Sequence, residues 1–370
     1  NCSWGGGGYS LLGQNIINDV TNMGSVVIAA AGNESSRDKF YPAAYNNVLS
    51  VASTGSSDTR SSFSNYGYYI DVASPGSGIY NTWQNNVYTN LSGTSMASPI
   101  TAGLVALTMA QFPNLTPLQA AEKVRVSADN IDNLNPSFVQ LLGKGRINAL
   151  RALQTNDFTS VRSVEAIFSD EVTGNNDGIF QPGETIAVMV RFKNWLNATS
   201  NLSVTLVSKT SNATVGANAT VNFGAKASGE IFDNSASQFQ FTISQTVPEN
   251  ADLAFILSYS DGTYSDFEWI NTTGNPTYAT TLGNNVAVTV TSTGNLGFAD
   301  YPNNTKGSGF KFDGGNNMLF EGALMLSTAQ NQVINSARGS NQSVQDKDFQ
   351  SEIPFSLKIP GVKADVEGYG

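Results

Sequence analysis

The chain of 370 residues contains no histidine and a single cysteine, Cys2. A Cys–His catalytic pair is excluded, and so is an intrachain disulfide. Cys2 reads as a small buried hydrophobe. Charge is scarce too: Asp, Glu, Lys and Arg make up 13% of the residues, against about a quarter in an average soluble protein. The charge present runs acidic, to a formal −10. An acidic surface repels phosphate backbones, so no nucleic-acid partner is expected. No apolar run approaches the roughly 20 residues that a membrane-spanning helix needs, and no signal peptide is visible. The sequence opens on Asn1 rather than Met, and Asn1-Cys2-Ser3-Trp4-Gly5-Gly6 reads like the end of a strand. A preceding segment, with any targeting signal in it, is therefore expected.

What is present is a hydrophobic fraction of 40%, enough to build cores and inconsistent with wholesale disorder. Asn, Ser, Thr and Gly fill the space left by charge, a profile common in extracellular β-rich proteins. Up to about residue 155 the pattern alternates between strand and helix. Leu12, Ile16, Ile17 and Val20 recur at helical spacing and Gly24 offers a stop. Ser25 to Ala31 is a continuous apolar run, suited to a parallel strand buried on both faces. Val48 to Ser53 and Tyr88 to Ser92 are further strand candidates. A helix is expected from Thr94 to about Gln111, with Pro99 tolerated in its first turn. A second begins at Thr116, with Pro117 in first position and Gln119 completing a capping box. Strands alternating with helices indicate an α/β layer fold.

The texture changes near Asn156. Residues 185–192, 203–207, 238–243 and 253–259 alternate with period two between Asn- and Gly-rich turns, as strands of a β-sandwich do. Strands are also expected at 285–292 and 318–325. Three domains follow from this reading: 1–157, a β-sandwich at 158–276, and a second β-rich domain at 277–370, which need not be whole.

The chemistry concentrates in Gly93-Thr94-Ser95-Met96-Ala97-Ser98-Pro99, between a strand and a small-residue helix. A serine hydroxyl is a poor nucleophile until something removes its proton. At a helix start, free N–H groups and the positive end of the dipole favour an oxyanion forming beside it. A second motif, Ala29-Ala30-Ala31-Gly32-Asn33-Glu34, closes the Ser25–Ala31 strand. Ligands of parallel sheets gather beyond that end of a strand, and an Asn amide there can donate to an oxyanion.

The heptapeptide around Ser95 is the nucleophile signature of the subtilase family, and Ala29 to Glu34 resembles that family's oxyanion segment. Shorter stretches at 41–51, 61–67, 71–76 and 143–149 resemble it too, so the likeness runs almost continuously from residue 1 to about 155. The chain thus resembles the carboxyl-terminal half of a subtilisin-like catalytic domain. The resemblance implies an α/β fold: a partial subtilisin-like parallel sheet flanked by helices, then one or two all-β sandwich-like domains. It implies a serine endopeptidase with Ser95 as nucleophile and Asn33 in the oxyanion hole. Ser3, Trp4 and Gly5 match the family's substrate-pairing edge strand. Ala30, Ala31 and Gly32 fall on the facing wall, and Thr94 joins them as substrate-binding. Small residues there leave room for a bulky side chain at the cleavage position. The family's catalytic Asp and His lie upstream of Ser3, so the triad is not complete within this chain, and the polypeptide as written is expected to be inert. Protein or peptide substrates, no membrane span, a monomeric state, and a secreted or cell-surface location go with this reading.

The chemistry needs no cofactor. Structural calcium is the one candidate: counting Thr173 as position one, Asn175, Asp177 and Glu184 fall on positions three, five and twelve of an EF-hand-like loop. A plain Asn-Asp-Gly turn is the other reading of that loop. A reading of a different class also stays open: a non-catalytic surface or adhesion protein with a degenerate protease domain, its function carried by the β modules.

Overall fold

The computed structural model describes residues 1–6, 8–283, 286–299, 306–312, 317–319, 321–323, 325–329, 332–335 and 349. The first part is a parallel sheet between packed layers. Helix α1 (Leu11–Asn22) precedes strand β1 (Val27–Ala30), which pairs in parallel with β2 (Val48–Thr54) and that with β3 (Val72–Pro75). Cys2, half-buried, adds a parallel bridge at Ala29 on the outer side of β1. β4 (Ile79–Trp83) and β5 (Val87–Leu91) form a separate antiparallel hairpin, so the strand expected at 88–92 exists but lies off the sheet.

Helix α2 (Thr94–Gln111) lies across the sheet. Its Ala97, Leu104 and Val105 pack on Ile28, Leu49, Val51 and Val72. The small side chains let α2 approach the strands closely, and alternation sends Ala31, Ala52 and Ala73 to the opposite face, against Ile70 and Leu142. α3 (Pro117–Val126) carries the expected capping box at Thr116 and Gln119, and α4 (Ala149–Gln154) closes this part. α1 is helical where the periodicity places it, yet its apolar stripe is split. Ile17 is buried against Ala29 and Val48, while Leu12 and Ile16 are exposed.

A second, separate core begins at Val161. It lies between two antiparallel sheets. One holds β6 (Val161–Ser169), β7 (Thr185–Asn194), β9 (Ala213–Val215), β11 (Ile231–Asp233) and β12 (Phe239–Ile243). The other holds β8 (Leu202–Ser208), β10 (Thr220–Gly224), β13 (Ala251–Asp261) and β14 (Tyr264–Gly274). Period-two residues of the two sheets interdigitate. Ile186 and Val188 of β7 and Phe239 and Phe241 of β12 meet Leu202, Val204 and Leu206 of β8 and Leu253, Phe255 and Tyr259 of β13.

Beyond β14, β15 (Tyr278–Gly283) pairs antiparallel with β16 (Val286–Thr291). β16 accounts for 286–291 of the strand expected at 285–292; Ser292 lies in a turn and Asn285 outside the described residues. The strand expected at 318–325 is not continuous: Glu321–Gly322 forms a short strand and Met325 opens another. Phe320, Leu324 and most of 300–370 lie outside the described residues. Among the described residues no helix is long and apolar enough to cross a membrane.

A buried ionic joint connects the two cores. Arg125 of α3 reaches Asp266 of β14 at 2.6 Å and Glu122 at 2.9 Å. Lys144 also reaches Asp266, at 3.0 Å. Arg162 of β6 meets Asp71 at 3.0 Å, Glu122 at 3.3 Å and Glu268 at 3.1 Å. Trp269 stacks on Tyr68 at 4.4 Å and donates its indole N–H to the Gln140 carbonyl. Burial alone would raise the Asp266 carboxyl. Arg125 and Lys144 outweigh it and hold that group well below the usual carboxylate range.

Candidate active site

Ser95 stands in the first turn of α2, after Gly93. Backbone donors of a first turn have no intrahelical acceptor, so the Ser95 N–H is available to a ligand. The start of the chain is laced to this turn. Ser3 Oγ donates to the Ser95 carbonyl at 2.9 Å, and Ser95 Oγ donates to the Ser3 carbonyl at 3.3 Å. Ser98 Oγ donates to Asn1 Oδ1 at 2.7 Å. A carbonyl oxygen holds the Ser95 hydroxyl but cannot take its proton.

Asn33 follows the tip of β1 and is exposed. Its Oδ1 accepts the Thr94 N–H at 2.9 Å and the Thr94 hydroxyl at 3.0 Å. A backbone N–H can only donate, so this pairing fixes which end of the amide is oxygen. Nδ2 is left as the outward donor, held by the residue next to the nucleophile. Thr94 is fully buried, and its hydroxyl also accepts the Gly32 N–H at 3.2 Å. It therefore anchors Asn33 rather than offering a surface to substrate.

Asn65 holds the same loop from behind. Its Oδ1 accepts the N–H groups of Glu34 and Ser36, and its Nδ2 donates to the Ala31 carbonyl and to Glu34. The Tyr69 hydroxyl also donates to the Ala31 carbonyl, at 2.9 Å. Burial pushes that phenol above its ordinary range, so it stays a neutral donor.

Residues 1–145 match the Peptidase S8 description, Subtilase family. The family match is to this part of the chain alone. It is similar to thermitase of Thermoactinomyces vulgaris, 44% identical over 141 residues that cover 38% of this chain and 48% of thermitase. Subtilisin DY of Bacillus licheniformis is 39% identical over 158 residues, covering 42% of this chain and 56% of that protein. Among solved structures, a protease from Pseudoalteromonas arctica is 32% identical with a TM-score of 0.39, covering 41% of this chain and 49% of that one. The chain spans about half the length of the curated relatives it matches.

Within the subtilase segment, the other residues singled out from sequence fall into two groups. Ser3, Trp4 and Gly5 run past the α2 N-terminus, Trp4 being 68% exposed. They form no continuous strand; bridges occur only at Cys2 and Gly6. Ala30 and Ala31 are buried, and Ala31 packs into the core with Ile70 and Leu142. Their side chains face the core and not solvent. Gly32 borders the gap, and the space opposite Gly5 is taken by Phe40. A methyl added at Gly5 would overlap the Phe40 ring, and one at Gly32 would lie 3.0 Å from its Cγ.

The loop read as a calcium candidate is built differently. Asp177 Oδ1 accepts the Ile179 N–H at 2.8 Å, and Asn175 Nδ2 donates to Asp177 Oδ2 at 2.8 Å. Glu184 Oε2 accepts the Gln181 N–H at 2.8 Å, and buried Asp170 takes the N–H groups of Asp177 and Gly178. Among the described residues no three acidic, His or Cys side chains converge to hold a metal. Asn175, Asp177 and Glu184 thus serve a turn and do not form a ready cation cage.

Sequence reading missed Phe40 and Asn65. Asn65 had a signal, since it lies in the family-like stretch 61–67. Phe40 had none, because its importance comes from two glycines distant in sequence.

Proposed function

We propose that this chain forms the nucleophile-bearing part of a subtilisin-type serine endopeptidase acting on protein or peptide substrates outside the cell. The observation that supports it most is the Asn33–Thr94 pairing, which ties the Asn33 amide by its oxygen to the residue next to Ser95 and keeps its Nδ2 as a donor. In this reading Ser95 Oγ attacks the scissile carbonyl and the two donors stabilise the oxyanion. The tetrahedral intermediate expels the amine, which takes up the proton removed from Ser95. Water then hydrolyses the acyl-enzyme. The base must come from outside these residues, because the chain has no histidine. In subtilisin, loss of the base costs roughly 10⁶-fold in turnover, so the 370 residues alone should be inert.

A fluorophosphonate probe applied to the full-length protein tests this. Labelling at Ser95 that disappears in Ser95→Ala supports the endopeptidase. A folded protein that takes no label favours the alternative, a surface or adhesion protein with a degenerate protease domain. Calcium at Asn175, Asp177 and Glu184 remains a separate proposal. Burial raises the Glu184 carboxyl and the neighbouring charges of Asp170 and Asp177 add to this, repulsion that a cation would relieve. An unfolding midpoint indifferent to calcium and chelator would remove it.

A further inference from the structure

We propose that Phe40 sets the cleavage preference: its ring fills the slot beside Ser95, so the residue whose carbonyl is attacked must carry a small side chain. This rests on the endopeptidase reading and names its substrate class, polypeptides cut after Gly, Ala or Ser.

The carbonyl under attack must lie against Ser95 Oγ and the Asn33 amide. The side chain on the same residue therefore enters the gap between the segments that carry those groups. Ser3 to Gly5 is tied to Ser95 by the reciprocal Ser3–Ser95 bonds, and Gly32 and Asn33 are tied to Thr94. The Phe40 ring lies near both segments: a methyl at Gly5 would overlap it and one at Gly32 would come within 3.0 Å of it. The missing side chain at Gly5 thus makes room for the ring, while at Gly32 Asn65 and Glu34 crowd the same space more closely than Phe40 does. Gly32 also holds φ at +103°, a conformation that side-chain-bearing residues rarely adopt.

The ring is not free to leave with its backbone. Tyr41 exchanges two backbone bonds with Gly6, at 2.9 and 2.8 Å, and the Phe40 carbonyl accepts the Ala44 N–H at 2.9 Å. These bonds hold residues 40–41 against the chain start. A substrate phenyl group would need the volume that the Phe40 phenyl already occupies. Trp4, largely exposed, is left as a rim contact.

The test measures kcat/KM of the full-length protein on peptide p-nitroanilides that differ only at the residue before the scissile bond. The Ala substrate should exceed the Phe and Leu substrates by about 100-fold, the scale on which a filled apolar pocket discriminates. Phe40→Gly should raise the ratio of kcat/KM on the Phe substrate to that on the Ala substrate by a similar factor. Phe40→Ala, with its unfolding midpoint measured alongside, guards against a variant that fails to fold, and the wild-type series stands without either. Cleavage that is lost in Ser95→Ala but indifferent to side-chain size overturns this inference and leaves the endopeptidase standing. No cleavage and no fluorophosphonate labelling overturns both.

Discussion

The Asn33 carboxamide has one oxygen and one nitrogen, and Thr94 occupies the oxygen. Asn33→Ala should therefore lower kcat by about 10²–10³, the loss known for the oxyanion donor of subtilisin itself, with KM little changed. Asn33→Asp should lose more than Asn33→Ala, because it keeps the Thr94 bonds but puts a negative charge where the oxyanion forms. Steady-state kinetics of the full-length protein, with Ser95 labelling as a control, decides the order. Gly32→Ala meets a different obstacle. Its φ is +103°, and the added methyl would meet Asn65, Glu34 and Phe40. Denaturant unfolding should show a loss of about 1–3 kcal/mol with the m-value unchanged. Ser95 and Asn33 were legible because each sits in a short contiguous motif. Phe40 was not, because its neighbours Gly5 and Gly32 are brought to it by the fold.

Helices and core strands were legible because local chemistry and burial agreed. α3 carries its capping box, and β7, β8, β12 and β13 alternate over an apolar face. β14 was not read as a strand. Its inward positions include Asp266 and Glu268, acids that face arginines of the joint, so the period-two pattern carries charge where an apolar residue is expected. The same acids make the joint sensitive to pH. Asp266 and Glu122 are held below their ordinary range, despite burial, mainly by Arg125. A depressed folded pKa contributes stability above the unfolded value and loses it as pH falls through the folded one. Asp71, raised by burial, runs the other way. Asp266, held well below its ordinary range, sets the sign, and stability should decline on acidification below about pH 4. Asp266→Asn should cost about 3 kcal/mol at neutral pH, since it leaves Arg125 buried with less compensation, and should flatten that decline. Unfolding midpoints measured from pH 7 downward in both proteins check this.

On the scale of the whole molecule, two cores meet at a joint whose charges come from both sides. Asp71, Glu122, Arg125 and Lys144 belong to the subtilase segment, and Arg162, Asp266 and Glu268 to the two-sheet unit. Arg162 is the group on which three carboxylates converge: Asp71, Glu122 and Glu268. Arg162→Met would leave Asp71 and Glu268 without that partner in a half-buried cleft, while Glu122 keeps Arg125. Removing one partner of a fully buried pair costs about 3–5 kcal/mol; here the group is partly exposed, so the loss is smaller, and the least costly response is to open the joint while each core stays folded. Hydrogen exchange should then rise along β14 and in the 155–160 connection but not in β2 or β8. The pH response of the joint should also shift. Without Arg162 the Asp71 carboxyl, already raised by burial, loses the main attraction that opposes that rise, so the stability it contributes is present below its unfolded value and lost as pH rises through the folded one. The variant should therefore regain joint protection on mild acidification, where the wild type holds or loses it. A variant whose exchange at β14 stayed at the wild-type level at neutral pH would show that Arg162 does not hold the two cores together.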